Sequence, residues 1–142
     1  MTEPQDMLTI GRRERIALPD LQSVGVEAKI DTGAFRTAVH CISARETERK
    51  GKKVLEAQFD LDGQGQKTFF FKRYKLRVIK NSFGQSEERY CIRTTLRIGN
   101  RDIKSDVSLT DRSGMKFQVL IGRKTLGRKF LVDVSSVFLL SE

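Results

Sequence analysis

The stretch AKIDTGAFRTAVH, residues 28–40, decides how this chain is read. An apolar, alternating approach, VEAKI, runs into Asp31-Thr32-Gly33-Ala34, and the alternation resumes at Thr37. Asp and Gly are poor strand residues, and Asp readily bonds backbone two residues on. The segment therefore presents a carboxylate in a turn at the tip of a strand. An ordinary surface turn would use the same residues, so the rest of the chain has to discriminate.

Working outward, period-two alternation dominates and helical periodicity is scarce. MLTIGRRERIALPDL predicts one strand ending in a turn at Pro19-Asp20, and VGVEAKI predicts the next. KVLEAQFDLDG alternates and closes on a turn at Asp62-Gly63. KTFFFKRYKLRVIK and ERYCIRTTLRIG flank NSFGQSE, which predicts a long hairpin with Asn81, Ser82, Phe83 and Gly84 at its tip. A tighter turn at Gly99-Asn100 leads to RDIKSDVSLT. Last come KFQVLIG, a short helix at RKTLGR, and a strand-like FLVDVSSVFLL. The expectation is an all-β domain with one short C-terminal helix, a single unit over residues 1–142 with no linker or repeat.

Composition narrows the chemistry. The formal net charge is +9, from 27 Lys and Arg against 18 Asp and Glu, which would attract polyanions. The cations are spread through GRRER, RKGKK, KRYK and GRKTLGRK, without zinc-finger spacing, an RNA-binding aromatic strand or a recognition helix. Nucleic-acid binding is not expected; an acidic substrate or partner explains the charge equally well. No apolar run approaches the roughly 18 residues of a membrane span, and the start of the chain is unlike a signal peptide, so a cytoplasmic location is expected. Two cysteines, Cys41 and Cys91, fit reduced thiols better than a disulfide scaffold.

Metal and nucleotide chemistry find little to work with. His40 is the one histidine, which excludes the His-Glu-x-x-His pattern. His40 and Cys41, adjacent on a strand, point to opposite faces and could not readily share an ion with Cys91. GRKTLGRK imitates a phosphate-binding loop, but Arg128 and Lys129 stand where its lysine and hydroxyl belong. No metal and no cofactor are expected.

The discriminating feature is FQVLIGRKTL, residues 117–126: an apolar strand into Gly122-Arg123 and a helical turn. With Asp-Thr-Gly-Ala it resembles the retropepsin family of aspartic proteases, whose monomers carry these two elements. Nearly the full chain, through GRRERIALPDL, AKIDTGAFRTAVH, GQSEERYCIRTTLRIGN, SLTDRSGMKFQVLIGR and FLVDVS, resembles a small bacterial retropepsin-like family. That family often bears the label "ATP-dependent zinc protease" and is associated with an ATP-grasp ligase that modifies a ribosomal protein.

The resemblance implies an acid-protease barrel, closed, with a dimeric active site. A homodimer would place Asp31 of each chain at a two-fold axis, where one carboxylate takes a proton from water and the other polarises a peptide carbonyl. Thr32 would join the network between loops, and Gly33 would allow close backbone approach. Ala34, unable to bond the carboxylate, would move activity toward neutral pH. Gly122 and Arg123 would support the loop from behind, with Asp111 the expected ion-pair partner of Arg123, because Phe35-Arg36 replaces the acidic residue usual there. The hairpin tip at 81–84 would be a flap over a peptide or protein substrate. The non-catalytic alternative is a retropepsin-fold module that binds an acidic or modified partner, such as an ATP-grasp ligase or a ribosomal protein.

Overall fold

The computed structural model describes residues 6–80 and 83–141. Twelve strands are present among them: β1 (Leu8–Gly11), β2 (Arg13–Leu18), β3 (Ser23–Ile30), β4 (Thr37–His40), β5 (Ser43–Arg49), β6 (Lys52–Phe59), β7 (Lys67–Phe71), β8 (Lys75–Lys80), β9 (Ser86–Ile98), β10 (Arg101–Thr110), β11 (Val119–Ile121) and β12 (Phe130–Asp133). The short helix α1 (Arg123–Leu126) follows β11, and a 3₁₀ turn spans Pro19–Leu21. The all-β expectation and its single short helix are both met.

Six strands close a mixed barrel in the order β10-β4-β11-β3-β2-β9, with β9 pairing back onto β10 and β8 added outside β9. The β9–β10 seam is a long antiparallel hairpin joined at Gly99-Asn100, with Ile98 opposite Arg101. Gly99 sits at φ +62°, as the first residue of a tight two-residue turn demands. On β3, Val26, Ala28 and Ile30 face inward and Glu27 and Lys29 outward, so the alternation in the sequence is the barrel wall itself. β4 departs from that pattern: all four residues are buried, because β10 and β11 flank it inside the barrel.

A three-stranded sheet, β5-β6-β7, packs one face on the barrel, and Leu55, Ala57 and Phe59 of β6 join the same core as Ile10, Val39, Leu96 and Ile121. Phe59 meets Phe69 and Phe71 edge-on, with ring centroids 6.1 and 6.4 Å away. Such edge-to-face contacts add about 0.5–1.5 kcal/mol each beyond burial.

Three sequence expectations are corrected. MLTIGRRERIALPDL is two strands: β1 leaves to pair in parallel with β12, and β2 enters the barrel. The break follows from Glu14, fully buried, whose carboxylate accepts from Gly11 N at 2.8 Å, Leu139 N at 2.9 Å, Leu140 N at 3.0 Å and Ser141 Oγ at 2.8 Å. KTFFFKRYKLRVIK changes sheets at residues 72–74: Phe69 and Phe71 go to Phe59, whereas Tyr74 packs on Tyr90. FLVDVSSVFLL is a strand only through Asp133, whose carboxylate accepts from Ser135 N at 2.9 Å and Ser136 Oγ at 2.9 Å and turns the chain.

Candidate active site

Asp31 follows the last residue of β3 and is held there by backbone. Its N–H donates to Ile121 O at 2.9 Å, and its own carbonyl accepts from Ala34 N at 3.2 Å to close the turn. Gly33 N donates to Asp31 Oδ1 at 3.1 Å, the side-chain-to-backbone bond that the Asp-x-Gly order favours. The side chain is thus oriented by its own loop.

Behind the loop, Arg123 N donates to Ala34 O at 2.8 Å and Lys124 N to Phe35 O at 3.0 Å. The first turn of α1 therefore spends two of its orphan N–H groups on the segment after Asp31. Gly122 makes this approach feasible: a Cβ there would stand 2.5 Å from Arg36 O and 2.8 Å from the Phe35 carbonyl carbon. Beneath it lies a buried hydroxyl chain. Gly122 N donates to Thr37 Oγ1 at 3.2 Å, Thr37 and Thr125 share a 2.7 Å hydrogen bond, and Thr125 Oγ1 donates to Ser105 Oγ at 3.2 Å. None of these three hydroxyl residues was singled out from the sequence, and no local signal marks them, since they lie on β4, α1 and β10.

The expected Arg123–Asp111 ion pair is absent. Arg123 Nη1 instead donates to Thr32 O at 3.0 Å, and its guanidinium lies 5.8 Å from the Phe35 ring centroid. Asp111 turns to its own loop, accepting from Ser113 N at 2.9 Å, with His40 Nδ1 3.7 Å away. The bonds from Ser113, helped by His40, hold the Asp111 carboxyl below the usual carboxylate range. Arg36 is the other departure: it pairs with Asp106 at 3.0 Å, and Arg77 joins the same carboxylate at 3.3 Å.

Asp31, Gly33 and Ala34 open onto a cleft of about 650 Å³. Its opposite parts come from the β8–β9 hairpin, through Val78, Phe83, Glu87 and Arg89, and from the loop after β10, through Asp111, Arg112 and Met115. Phe35, Val78, Phe83 and Met115 are exposed there, an apolar lining beside polar groups of the kind that binds side chains. Of the hairpin tip, Phe83 and Gly84 are described, Gly84 at φ +78°; Asn81 and Ser82 lie outside the described residues. Thr32 exposes its side chain, and its carbonyl serves Arg123.

Arg112 is a cleft residue that sequence reasoning missed. Its N–H donates to His40 Nδ1 at 2.8 Å and its Nε to Phe117 O at 3.0 Å. Burial, with Arg89 near it, pulls the guanidinium below its ordinary value, and Asp31 opposes that shift. This half-buried arginine follows Asp111 directly in sequence, but only the folded loop brings it into the cleft onto which Asp31 opens.

The donor set does not fit a zinc ion. Among the described residues no three His, Cys, Asp or Glu side chains converge. His40 Nδ1 is occupied by Arg112 N, and Cys41 Sγ donates to Ser43 O at 3.0 Å. Among the same residues no helix is long and apolar enough to cross a membrane.

An Asp-Thr-Gly-Ala loop backed by a strand, a Gly-Arg pair and a helical turn agrees with the family model described as "Retropepsin-like aspartic endopeptidase RimB", which matches residues 9–142. This chain belongs to that family. Curated relatives include two proteins each named "Probable alpha-L-glutamate ligase": one from Shewanella pealeana, 31% identical over 94% of this chain, and one from Desulfotalea psychrophila, 27% identical over 87%. The chain spans only 30% of the first and 27% of the second. Among solved structures, Lpg0085 of Legionella pneumophila, a protein of unknown function, shares the fold with a TM-score of 0.76 at 24% identity, covering 94% of this chain and 98% of that one.

Proposed function

We propose that the protein is an aspartic endopeptidase that works as a homodimer, each chain contributing Asp31. The observation that carries the reading is the loop itself: Asp31, oriented by Gly33 N and anchored by Ile121 O, lines a cleft of about 650 Å³. Two such carboxylates across a two-fold axis would hold one water and one proton between them. The ionised carboxylate takes a proton from the water as its oxygen attacks the peptide carbonyl; the protonated one donates to the carbonyl oxygen. The resulting gem-diol collapses as the first carboxyl gives the proton it took from water to the leaving amine and the second recovers one from a gem-diol hydroxyl. Thr32 and Gly33 hold the loop, Ala34, Gly122 and Arg123 brace it, and the β8–β9 hairpin covers the substrate.

The substrate is a peptide or protein, and the basic charge favours an acidic one. Because a region like this chain makes up about 30% of proteins named glutamate ligases, we place the partner among ATP-grasp ligases or their ribosomal-protein products. The same observation supports a second reading, a catalytically silent module that recruits such a partner. Cleavage of a diverse peptide library between pH 4 and 8, wild type beside Asp31→Asn, separates the two. Loss of cleavage in a folded Asp31→Asn variant establishes the peptidase; no cleavage by wild type leaves the binding module.

A further inference from the structure

Asp106 of β10 receives two arginines from two different parts of the cleft. Arg36 Nη1 donates to its Oδ2 at 3.0 Å, and Arg77 Nη2 stands 3.3 Å from the same oxygen. Arg36 closes the segment that begins at Asp31, and Arg77 belongs to β8, the strand that leads into the hairpin tip. Strand geometry accounts for both contacts. β10 runs parallel to β4 with Val107 opposite Thr37, so Asp106 lies beside Arg36 one residue earlier. On β8, Val78 lines the cleft, while its neighbour Arg77 projects from the opposite face and reaches the barrel strand that carries Asp106.

The three side chains are sheltered: Asp106 is 15% exposed, Arg36 29% and Arg77 31%. A charge-assisted bond in that setting is stronger than a surface ion pair, and removing the acid strands partly buried cations. Arg93 is the register partner of Asp106 across the β9–β10 seam, so without the carboxylate three arginines would be left to repel one another. The contact also has a mechanical consequence. Among the described residues β8 pairs with β9 alone and has no strand on its outer edge, so its backbone ladder ties it to β9 and not to the Asp31 loop. α1 holds that loop from behind, through Ala34 O and Phe35 O. On the other side, loop and hairpin meet on the Asp106 carboxylate.

We propose that Asp106 is a positioning residue: its carboxylate clasps Arg36 to Arg77 and so sets how the β8–β9 hairpin stands over the loop that carries Asp31. Its effect on substrate rests on the peptidase reading; its effect on the hairpin does not. The first test therefore needs no substrate. Amide hydrogen exchange on the full chain compares the hairpin strands, at 75–80 and 86–91, with β3 of the barrel wall in wild type, Asp106→Asn, Asp106→Glu and Asp106→Asn/Arg77→Met. In Asp106→Asn hairpin exchange should rise about five- to tenfold with β3 unchanged. Asp106→Glu keeps the carboxylate and most of the protection. Adding Arg77→Met to Asp106→Asn should accelerate the hairpin no further, because the bond it would remove is already gone. The second test is steady-state peptide cleavage, in which KM should rise in Asp106→Asn by more than kcat falls and return toward wild type in Asp106→Glu. A role in stability alone would speed exchange in β3 and the hairpin together and leave KM where it was. Unchanged hairpin exchange in Asp106→Asn overturns the clasp, as does equal acceleration of β3. A loosened hairpin with an unchanged KM overturns the positioning role. Wild type that cleaves no peptide sinks the peptidase reading and leaves the exchange result to decide the clasp.

Discussion

Replacing Gly122 by alanine tests whether the strand-to-helix element really clamps the Asp31 loop. At φ −90° the backbone there tolerates any residue, so the effect comes from space alone. The added methyl would sit 2.5 Å from Arg36 O, 2.7 Å from Arg36 C and 2.8 Å from Phe35 C, all backbone atoms with no rotamer to escape by. The two segments have to separate by close to an ångström to restore contact distance. Such overpacking costs about 1–3 kcal/mol, which for a chain near 150 residues lowers Tm by roughly 2–4 °C per kcal/mol. Separation also stretches the bonds from Arg123 N to Ala34 O and from Lys124 N to Phe35 O, so peptidase activity should fall by more than stability does. Differential scanning calorimetry, run beside a kcat/KM assay, reads both. Gly114→Ala is the control: a Cβ there meets nothing within 4 Å, and it should be neutral or slightly stabilising. If Gly122→Ala melts with wild type and Gly114→Ala, the clamp does not exist as described.

Glu14→Ala should be the most damaging substitution away from the cleft, because it strands the N–H groups of Gly11, Leu139 and Leu140 and leaves the Ser141 hydroxyl only its contacts with the Arg15 backbone. A loss of about 3–5 kcal/mol in urea unfolding is expected, with Glu14→Gln intermediate, since one carboxamide oxygen still accepts. For Cys41, burial pushes the thiol up to about 11 from an ordinary 9.0. Its folded-state preference for the neutral form is therefore intact below about pH 9 and is lost as pH rises toward 11, so stability should fall across that window and fall less in Cys41→Ala. At pH 8 roughly one thiol in a thousand is ionised, and a disulfide reagent should label Cys41 only as the protein opens.

The strands were legible because they are amphipathic, and their closure into a barrel was implied by the family resemblance: the inward Val26, Ala28 and Ile30 of β3 alternate in the sequence as they do in the wall. The Asp-Thr-Gly-Ala loop and the Gly122-Arg123 element were legible for a related reason, since both interrupt apolar strands with residues that strands avoid. What stayed hidden is what long-range pairing decides. Asp111 was the available acid for Arg123, yet its own Ser113 captured it locally, and Arg123 found a carbonyl instead. Glu14 lay inside a segment read as one continuous strand; only the return of residues 139–141 turns it into a buried anchor. Arg36 and Asp106 lie 70 positions apart, and no local pattern joins them.

The shared dyad is the centre of the account, and subunit mixing tests it most directly. Wild-type and Asp31→Asn chains are unfolded together, refolded at a fixed total concentration and assayed against the fraction of wild type. If one Asp31 from each chain makes the site, a mixed dimer is inactive, and an equal mixture keeps about a quarter of full activity, falling with the square of the wild-type fraction. Activity that falls in direct proportion, leaving about half, would mean that a single chain holds a complete site, and the two-fold dyad would be wrong.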